Sequence, residues 1–356
     1  MLWPWQRRAA RHDTLAFRLD DTGLHWVLAD ARAARPVVLG FGHCARPADG
    51  SPWDFGALRA EAAKAGRAIG LLPLAAYQML QIDAPAVPSD ELRAAARWHI
   101  RDRVDSHVDD LTLDVLRVGP ALASPHGQGQ LFVVAAANQQ VQALGELAQQ
   151  GQWPLQVIDV TDKAQRNLHA SQAAALDLGE RATACLVQHG KACLLTLCVG
   201  EELCYSRRLD WDAQLPERAQ AALTRAAEPP PDHAWATELG GDGALSFDLA
   251  DGGLQAAVEL GASRDDDSRL VVELQRSFDV WERSWPDHPL SALLLCHEGD
   301  MTPSSAFLQT QLGLRVLPMN RFAAVEPGPL AQAEPAMQAA LWPLLGALLR
   351  REPVEP

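Results

Sequence analysis

The sequence predicts an α/β protein with more than one structural unit, and three observations carry that prediction. The chain has 356 residues, enough to bury a sizeable core in two or more domains. Its apolar residues gather in short runs of strand length, such as Leu131–Ala137 and Ala192–Val199, between stretches of helical spacing. Between Ala173 and Asp210 three β-rich runs are separated by turns at His189-Gly190-Lys191 and Val199-Gly200-Glu201, which reads as a β-meander.

Composition narrows the partners. Hydrophobic residues make up 48% and charged residues 21%, as in an ordinary soluble globular protein. A formal charge of −14 argues against nucleic acid as a partner. No apolar run approaches the roughly twenty residues that cross a bilayer. The N-terminus lacks the apolar centre of a signal peptide, so the expected location is the cytoplasm. Four of the six cysteines cluster at Cys185, Cys193, Cys198 and Cys204 without a CxxC pair. Cys193 and Cys198 are five apart on one strand and so face opposite sides, which prevents them from sharing a metal. These thiols, like the distant Cys44 and Cys296, read as small buried hydrophobes.

Taken in order, Met1–His12 carries Trp3, Trp5, Arg7, Arg8 and Arg11. Such a tail either dips into an anionic membrane surface or packs back on the domain. Leu15–Leu19 and Leu24–Leu28 form a hairpin around Asp20-Asp21-Thr22-Gly23, and Pro36–Phe41 adds a strand. Asp54–Gly66 is helical, and Arg67–Leu72 leads onward. Residues 73–152 look like a module of order strand, helix, strand, strand, helix. Its first strand is Tyr77–Ile82. Ser89 caps a helix with Asp90 and Glu91 in its first turn and Leu92, Ala96, His99 and Arg103 on one stripe. Strands Leu111–Val118 and Leu131–Ala137 follow, joined by Ser124–Gly129, and then a helix over Gln139–Gln150. Leu155–Val160 is a strand, and the next helix runs to His169. A strand then begins at Leu176 and opens the meander.

Beyond the meander, Ala213–Ala227 is helical. Glu228–Pro231 and Gly240–Gly243 mark irregular chain. Asp265-Asp266-Asp267 precedes an amphipathic helix with Val271, Leu274, Phe278, Trp281 and Trp285 on its buried face. Those aspartates lack the spacing of a calcium loop. Leu290–Cys296 is a buried strand, Thr302–Leu312 a helix closed by Gly313, and Leu314–Leu317 a strand. A last helix spans Glu334–Arg350 with Pro343 inside it.

Familiar catalytic motifs are missing: there is no GxSxG, HExxH, Walker loop or strand-following GxGxxG. Three lysines leave little for a lysine phosphate clamp. The candidate site is Asp177-Leu178-Gly179 with Thr183. A glycine beside a carboxylate at a strand bend admits a phosphate to the backbone, while the carboxylate holds a metal-bound water. The same tripeptide also reads as a plain turn.

Five segments together resemble the PilM/MshI family of actin-like proteins that assemble type IV pili, including the mannose-sensitive haemagglutinin (MSHA) pilus. They are Ile82-Asp83-Ala84-Pro85 with Ser89-Asp90-Glu91-Leu92 and Ala96-Arg97-Trp98; Val133–Ala137 followed by Val157–Val160; and Asp177-Leu178-Gly179 with Thr183 through Tyr205–Asp210. The others are Glu273–Phe278, similar to an E-[IL]-x-R-S helix, and Leu345–Arg350, similar to a closing G-x-A-x-R helix.

The resemblance implies an actin/Hsp70-like (ribonuclease H-like) fold. Two α/β lobes flank a nucleotide cleft, and an SHS2-like subdomain is inserted at 73–152. Lobe I would take 13–72 and 153–170, lobe II 171–334, and the closing helix and tail 335–356. It also implies a residual nucleotide cleft at Asp20, Asp177, Gly179, Thr183 and Gly299. The motifs have departed from the family's pattern. No serine or threonine follows Gly23, Glu180 and Arg181 replace small residues, and Cys296-His297-Glu298-Gly299-Asp300 stands where relatives have S-G-G-G. The implied activity is therefore that of a pseudo-ATPase with no cofactor, ATP and magnesium being the alternative. The implied partner is the cytoplasmic tail of a PilN-type inner-membrane protein, docked between the first subdomain and the inserted one. An active ATPase using Asp20 and Asp177, a type II secretion module and, more distantly, a sugar kinase are the rival readings. The chain's end without a transmembrane helix argues against the secretion module.

Overall fold

Apolar residues on both faces of the first strands require cover on two sides, and the rest of the chain supplies it. The computed structural model describes residues 13–33, 35–48, 51–119, 129–227 and 269–351. The N-terminal tail 1–12, most of the Ser124–Gly129 loop, Glu228–Pro231, Gly240–Gly243 and Asp265–Asp267 lie outside them.

The hairpin β1 (Asp13–Leu19) and β2 (Gly23–Asp30) is followed by β3 (Val37–Ala45), helix α1 (Gly56–Ala62) and β4 (Ala65–Leu72). The expected helix over 54–66 is thus shorter, because Ala65 already belongs to a strand parallel to β1. Leu15, Phe17, Leu24, Trp26 and Leu28 face one core, and Ala16, Val27 and Ala29 face another. Burial on both faces explains why these strands read as nearly continuous apolar runs.

The inserted unit follows as β5 (Tyr77–Asp83), α2 (Leu92–Ile100), β6 (Leu111–Arg117), β7 (Gln130–Ala137) and α3 (Asn138–Gly151). Its strands form a three-stranded antiparallel sheet in the order β5-β7-β6. Leu92, Ala96 and Ile100, each one turn apart, pack on Leu111, Leu113, Leu131, Val133 and Ala135. The expected stripe through His99 and Arg103 is corrected: the helical period puts Ile100 on the buried line and leaves both of them exposed. Ser89 makes no side-chain cap, and Ser89–Glu91 is a separate 3₁₀ turn before α2. Leu144, Leu147 and Ala148 of α3 join the first core beside Phe17 and Trp153.

Strand β8 (Leu155–Val160) returns to the first sheet, completing the order β3-β2-β1-β4-β8. Helix α4 (Thr161–Ala175) then runs six residues beyond the expected end at His169, because Ser171-Gln172-Ala173-Ala174-Ala175 continues as good helix formers. The strand expected from Leu176 consequently begins only at Ala182.

The meander is β9 (Ala182–His189), β10 (Ala192–Val199) and β11 (Glu202–Asp210). It is followed by α5 (Leu215–Ala227), α6 (Arg269–Ser284), β12 (Leu290–Cys296), α7 (Thr302–Leu312) and β13 (Val316–Pro318). The second five-stranded sheet has the order β11-β10-β9-β12-β13. Both large sheets therefore share one plan: three antiparallel strands, then two parallel strands added along the first. Val271, Leu274, Phe278, Trp281 and Trp285 form the buried face of α6 and its end. Gly313 closes α7 with φ 62°, in the left-handed region that favours glycine.

The last helix, α8 (Pro335–Leu348), crosses back to the first lobe. Leu341, Trp342, Leu344 and Leu345 pack with Ala16, Val27 and Ile69, so the beginning and end of the chain share a core. Among the described residues no helix is long and apolar enough to cross a membrane.

Candidate functional site

Two hairpin tips and one strand end approach one another, since the Arg18 charge acts on His189 and Glu298 bonds to Gln188. The β1–β2 tip carries Asp20, the β9–β10 tip carries His189-Gly190-Lys191, and His297–Gly299 follow β12. Burial, together with the positive charges of Arg18 and Arg208, depresses the His189 imidazole to about 3. Its ring is therefore neutral near pH 7, and its Nε2 lies 3.3 Å from Gln165 Oε1. The Glu298 amide donates to Gln188 Oε1 at 3.1 Å, joining the β12 end to the second tip.

Asp20 is committed within its own hairpin. It accepts from the Thr22 amide at 3.0 Å, from Thr22 Oγ1 at 2.6 Å and from Arg18 Nη2 at 3.0 Å. His25 Nε2 lies 3.2 Å away. Burial opposes the charged form. Hydrogen bonds from His25 and Thr22, with the charges of His25 and Arg18, outweigh it and hold the carboxyl well below its ordinary range. Gly23 is forced by a close approach: a Cβ there would lie 2.2 Å from the Cys44 carbonyl oxygen.

The structure does not bring Asp177, Gly179 and Thr183 together with Asp20 and Gly299. Thr183 is paired with Ala292 near the start of β12, whereas Val187 is paired with Cys296 at its end. Four residues of strand, about 13 Å, separate those levels. Asp177 (φ 57°) ends α4 in a left-handed turn, and its amide donates to the Ala174 carbonyl. A Cβ on Gly179 would meet Ala174 Cα at 3.3 Å, and Gly200 of the β10–β11 turn lies against the Gly179 carbonyl. Thr183 is buried with its Oγ1 2.8 Å from His169 Nε2. Asp177 and Gly179 lie in a turn at the foot of the second sheet, and Thr183 follows inside β9.

Gly299 (φ 84°) does lie on the cleft side, but its neighbours are bulky. His297 is buried and its ring is 5.4 Å from that of Trp211, just after β11. Beside Trp211 a cleft of about 530 Å3 is lined by Arg207, Arg208, Arg218 and Arg269 with Asp210 and Glu273. Arg207 pairs with Glu273 and donates to Ser277 Oγ at 3.1 Å.

Sequence reasoning missed the polar seam of α4. Asp162, Gln165, His169 and Gln172 recur on one buried face and bond to the second sheet. Ser206 Oγ donates to Asp162 at 2.5 Å. Gln165 Nε2 donates to the carbonyls of Cys185 and Leu194 at 3.2 and 2.9 Å. Gln172 accepts from the Asn320 amide at 3.0 Å. The i, i+3, i+7, i+10 spacing of Asp162, Gln165, His169 and Gln172 beside Ala164 and Leu168 was the available signal. Among the described residues no three His, Cys, Asp or Glu side chains are grouped to hold a metal. Burial pushes the Cys193 and Cys204 thiols up to about 12, so neither is a nucleophile near neutral pH.

No protein-family model matches this chain, and no curated protein is similar to it by sequence. A solved chain of a PilM-PilN type IV pilus biogenesis complex is similar over 97% of this chain and 100% of that one, with a TM-score of 0.62 and 19% identity. The fold is actin-like. A Bacteroides thetaiotaomicron protein with an actin-like ATPase fold and unknown function covers 91% of this chain and 97% of its own, with a TM-score of 0.45 and 9% identity. The cytoplasmic domain of EpsL, an inner-membrane component of the Vibrio cholerae type II secretion system, is 16% identical. It covers 64% of this chain and 79% of its own, with a TM-score of 0.39.

Proposed function

We propose that this chain is an actin-like docking body of a type IV pilus assembly platform, of the MSHA kind, and a pseudo-ATPase. Its partner would be the cytoplasmic tail of a PilN-type protein, which would hold it at the inner membrane. The tail would lie as an extended strand in a groove between the first sheet and the inserted, SHS2-like unit. Similarity to a chain of the PilM-PilN complex, at a TM-score of 0.62, supports the choice of partner.

The observation that carries the pseudo-ATPase reading is the state of Asp20. A magnesium-binding carboxylate needs free lone pairs facing the phosphates, whereas this one already accepts from Thr22 and Arg18 and borders His25. The Trp211 and His297 rings crowd the opposite wall. Calorimetry of the full chain with Mg-ATP is the test. Little or no heat is expected. A magnesium-dependent signal that disappears in Asp20→Ala would overturn the reading. The partner is tested by titrating the tail peptide, for which saturable binding is expected; its absence removes the docking role.

A further inference from the structure

Asp162 lies where three separately built parts of the chain meet. It opens α4, which descends from the first sheet. Tyr77, at the root of the inserted unit, donates from its hydroxyl to Asp162 Oδ2, and the Asp162 amide donates back to Tyr77 Oη at 3.3 Å. Ser206, on β11 of the second lobe, donates to Asp162 Oδ1. The Arg208 guanidinium lies 4.6 Å over the Tyr77 ring, so two residues of one β11 face hold the same joint. Arg207, between them, points the other way and is anchored to Glu273 and Ser277 of α6.

A second contact joins the same bodies. Val118 and Phe132 of the inserted unit leave its own core and pack in the core of the second lobe with Leu203. The Gly119 amide donates to the Leu203 carbonyl at 3.3 Å, covering part of the β11 edge. The inserted unit has a core of its own around Ile82, Ala96, Ile100 and Val133, while Val134, Ala136, Leu144 and Leu147 tie it to the core of the first lobe, so it would move with that lobe.

We propose that the inserted unit is a strap across the interlobe cleft, clasped at Asp162, that holds the two lobes at one angle. Among the described residues this body meets the second lobe through Val118, Phe132, Met79 and Leu116, the Gly119–Leu203 backbone bond, the Arg208–Tyr77 contact and the Asp162 clasp, a contact small enough to be released. Opening the lobes would expose Phe132 and strand a buried carboxylate. Both changes disfavour opening while the clasp is closed.

Hydrogen exchange of the full chain tests this, comparing the wild type with Tyr77→Phe and Ser206→Ala. Tyr77→Phe keeps the ring under Arg208 and removes one donor to Asp162. The expected result is amide exchange at least tenfold faster in residues 202–210 and 296–300, with 131–136 and 182–189 unchanged. Joining the strap to the lobe by Gly119→Cys with Leu203→Cys, oxidised, should restore protection in the Tyr77→Phe background. The proposal is overturned if 202–210 exchange within twofold of the wild type. It is equally overturned if all four segments loosen together, which would mean ordinary loss of stability, or if the cross-link restores nothing.

Discussion

Gly346 of α8 rests directly on Ala164 of α4: a Cβ at residue 346 would lie 2.1 Å from the Ala164 carbonyl oxygen. Asn167 Nδ2 completes the crossing by donating to the Gly346 carbonyl at 2.9 Å. The obstacle is backbone in the middle of a helix, so it cannot swing away. Gly346→Ala should therefore destabilise the protein by about 1–3 kcal/mol through overpacking, read as a lower urea midpoint. An unchanged midpoint would show that the two helices are free to separate.

Arg350 and Asp159 form a buried pair between the last helix's end and β8, with side chains 12% and 3% exposed. Replacing only the arginine leaves the carboxylate buried with only the Val160 amide and the charge of Arg67 to compensate it. Arg350→Met should cost on the order of 3 kcal/mol, and Asp159→Asn in that background should recover part of the loss. Equal stability of Arg350→Met and the wild type would contradict the burial described.

Acid should weaken the protein before its carboxylates titrate. Burial lowers the His169 imidazole from 6.5 to about 3, and His189 is depressed to the same level. Between those values the unfolded chain binds protons that the folded chain refuses, so stability falls as pH drops from 6.5 toward 3. Each histidine contributes a slope of up to about 1.4 kcal/mol per pH unit. Denaturation midpoints at pH 7, 6, 5 and 4 would show the decline, and His169→Gln should make it shallower by one proton. A flat profile over that interval excludes neutral buried histidines.

Asp177 holds a left-handed backbone conformation at the end of α4, far along the strands from the cleft. Asp177→Ala should lose about 1 kcal/mol, because alanine lacks the short polar side chain that eases this conformation, and Asp177→Gly should lose none. Neither should alter the calorimetric response to Mg-ATP. A changed response in Asp177→Ala would relocate the site to the foot of the second sheet.

Most strands were legible because burial on two faces writes them as unbroken apolar runs; Leu290–Cys296 is one whose limits are the same in sequence and structure. Helix α4 was harder. Its buried face is polar, so hydrophobic periodicity weakens after His169, and the expected helix stops there although it runs to Ala175. That shift of one element set Asp177 and Gly179 at the other end of the sheet from Cys296. With the strand begun at Leu176, Asp177 and Gly179 took the role of a loop beside the cleft. Counting antiparallel partners from the His189-Gly190-Lys191 turn would have placed Thr183 opposite Cys198, at the foot of the sheet. The joint at Asp162 was not readable, because Tyr77 and Ser206 stand 85 and 44 residues from it and no local pattern connects them.

The return of α8 to the first sheet bears on how the protein is made. Ala16, Val27 and Ile69 leave the ribosome early, yet Leu341, Trp342 and Leu345, which cover them, follow Ile69 by 272 residues or more. Until then that apolar face has no lid, and long-range closure of this kind is slow. Nascent chains stalled before residue 335 should therefore be recognised by chaperones that bind exposed strands, which makes the emergence of α8 a checkpoint in the biosynthesis of this fold.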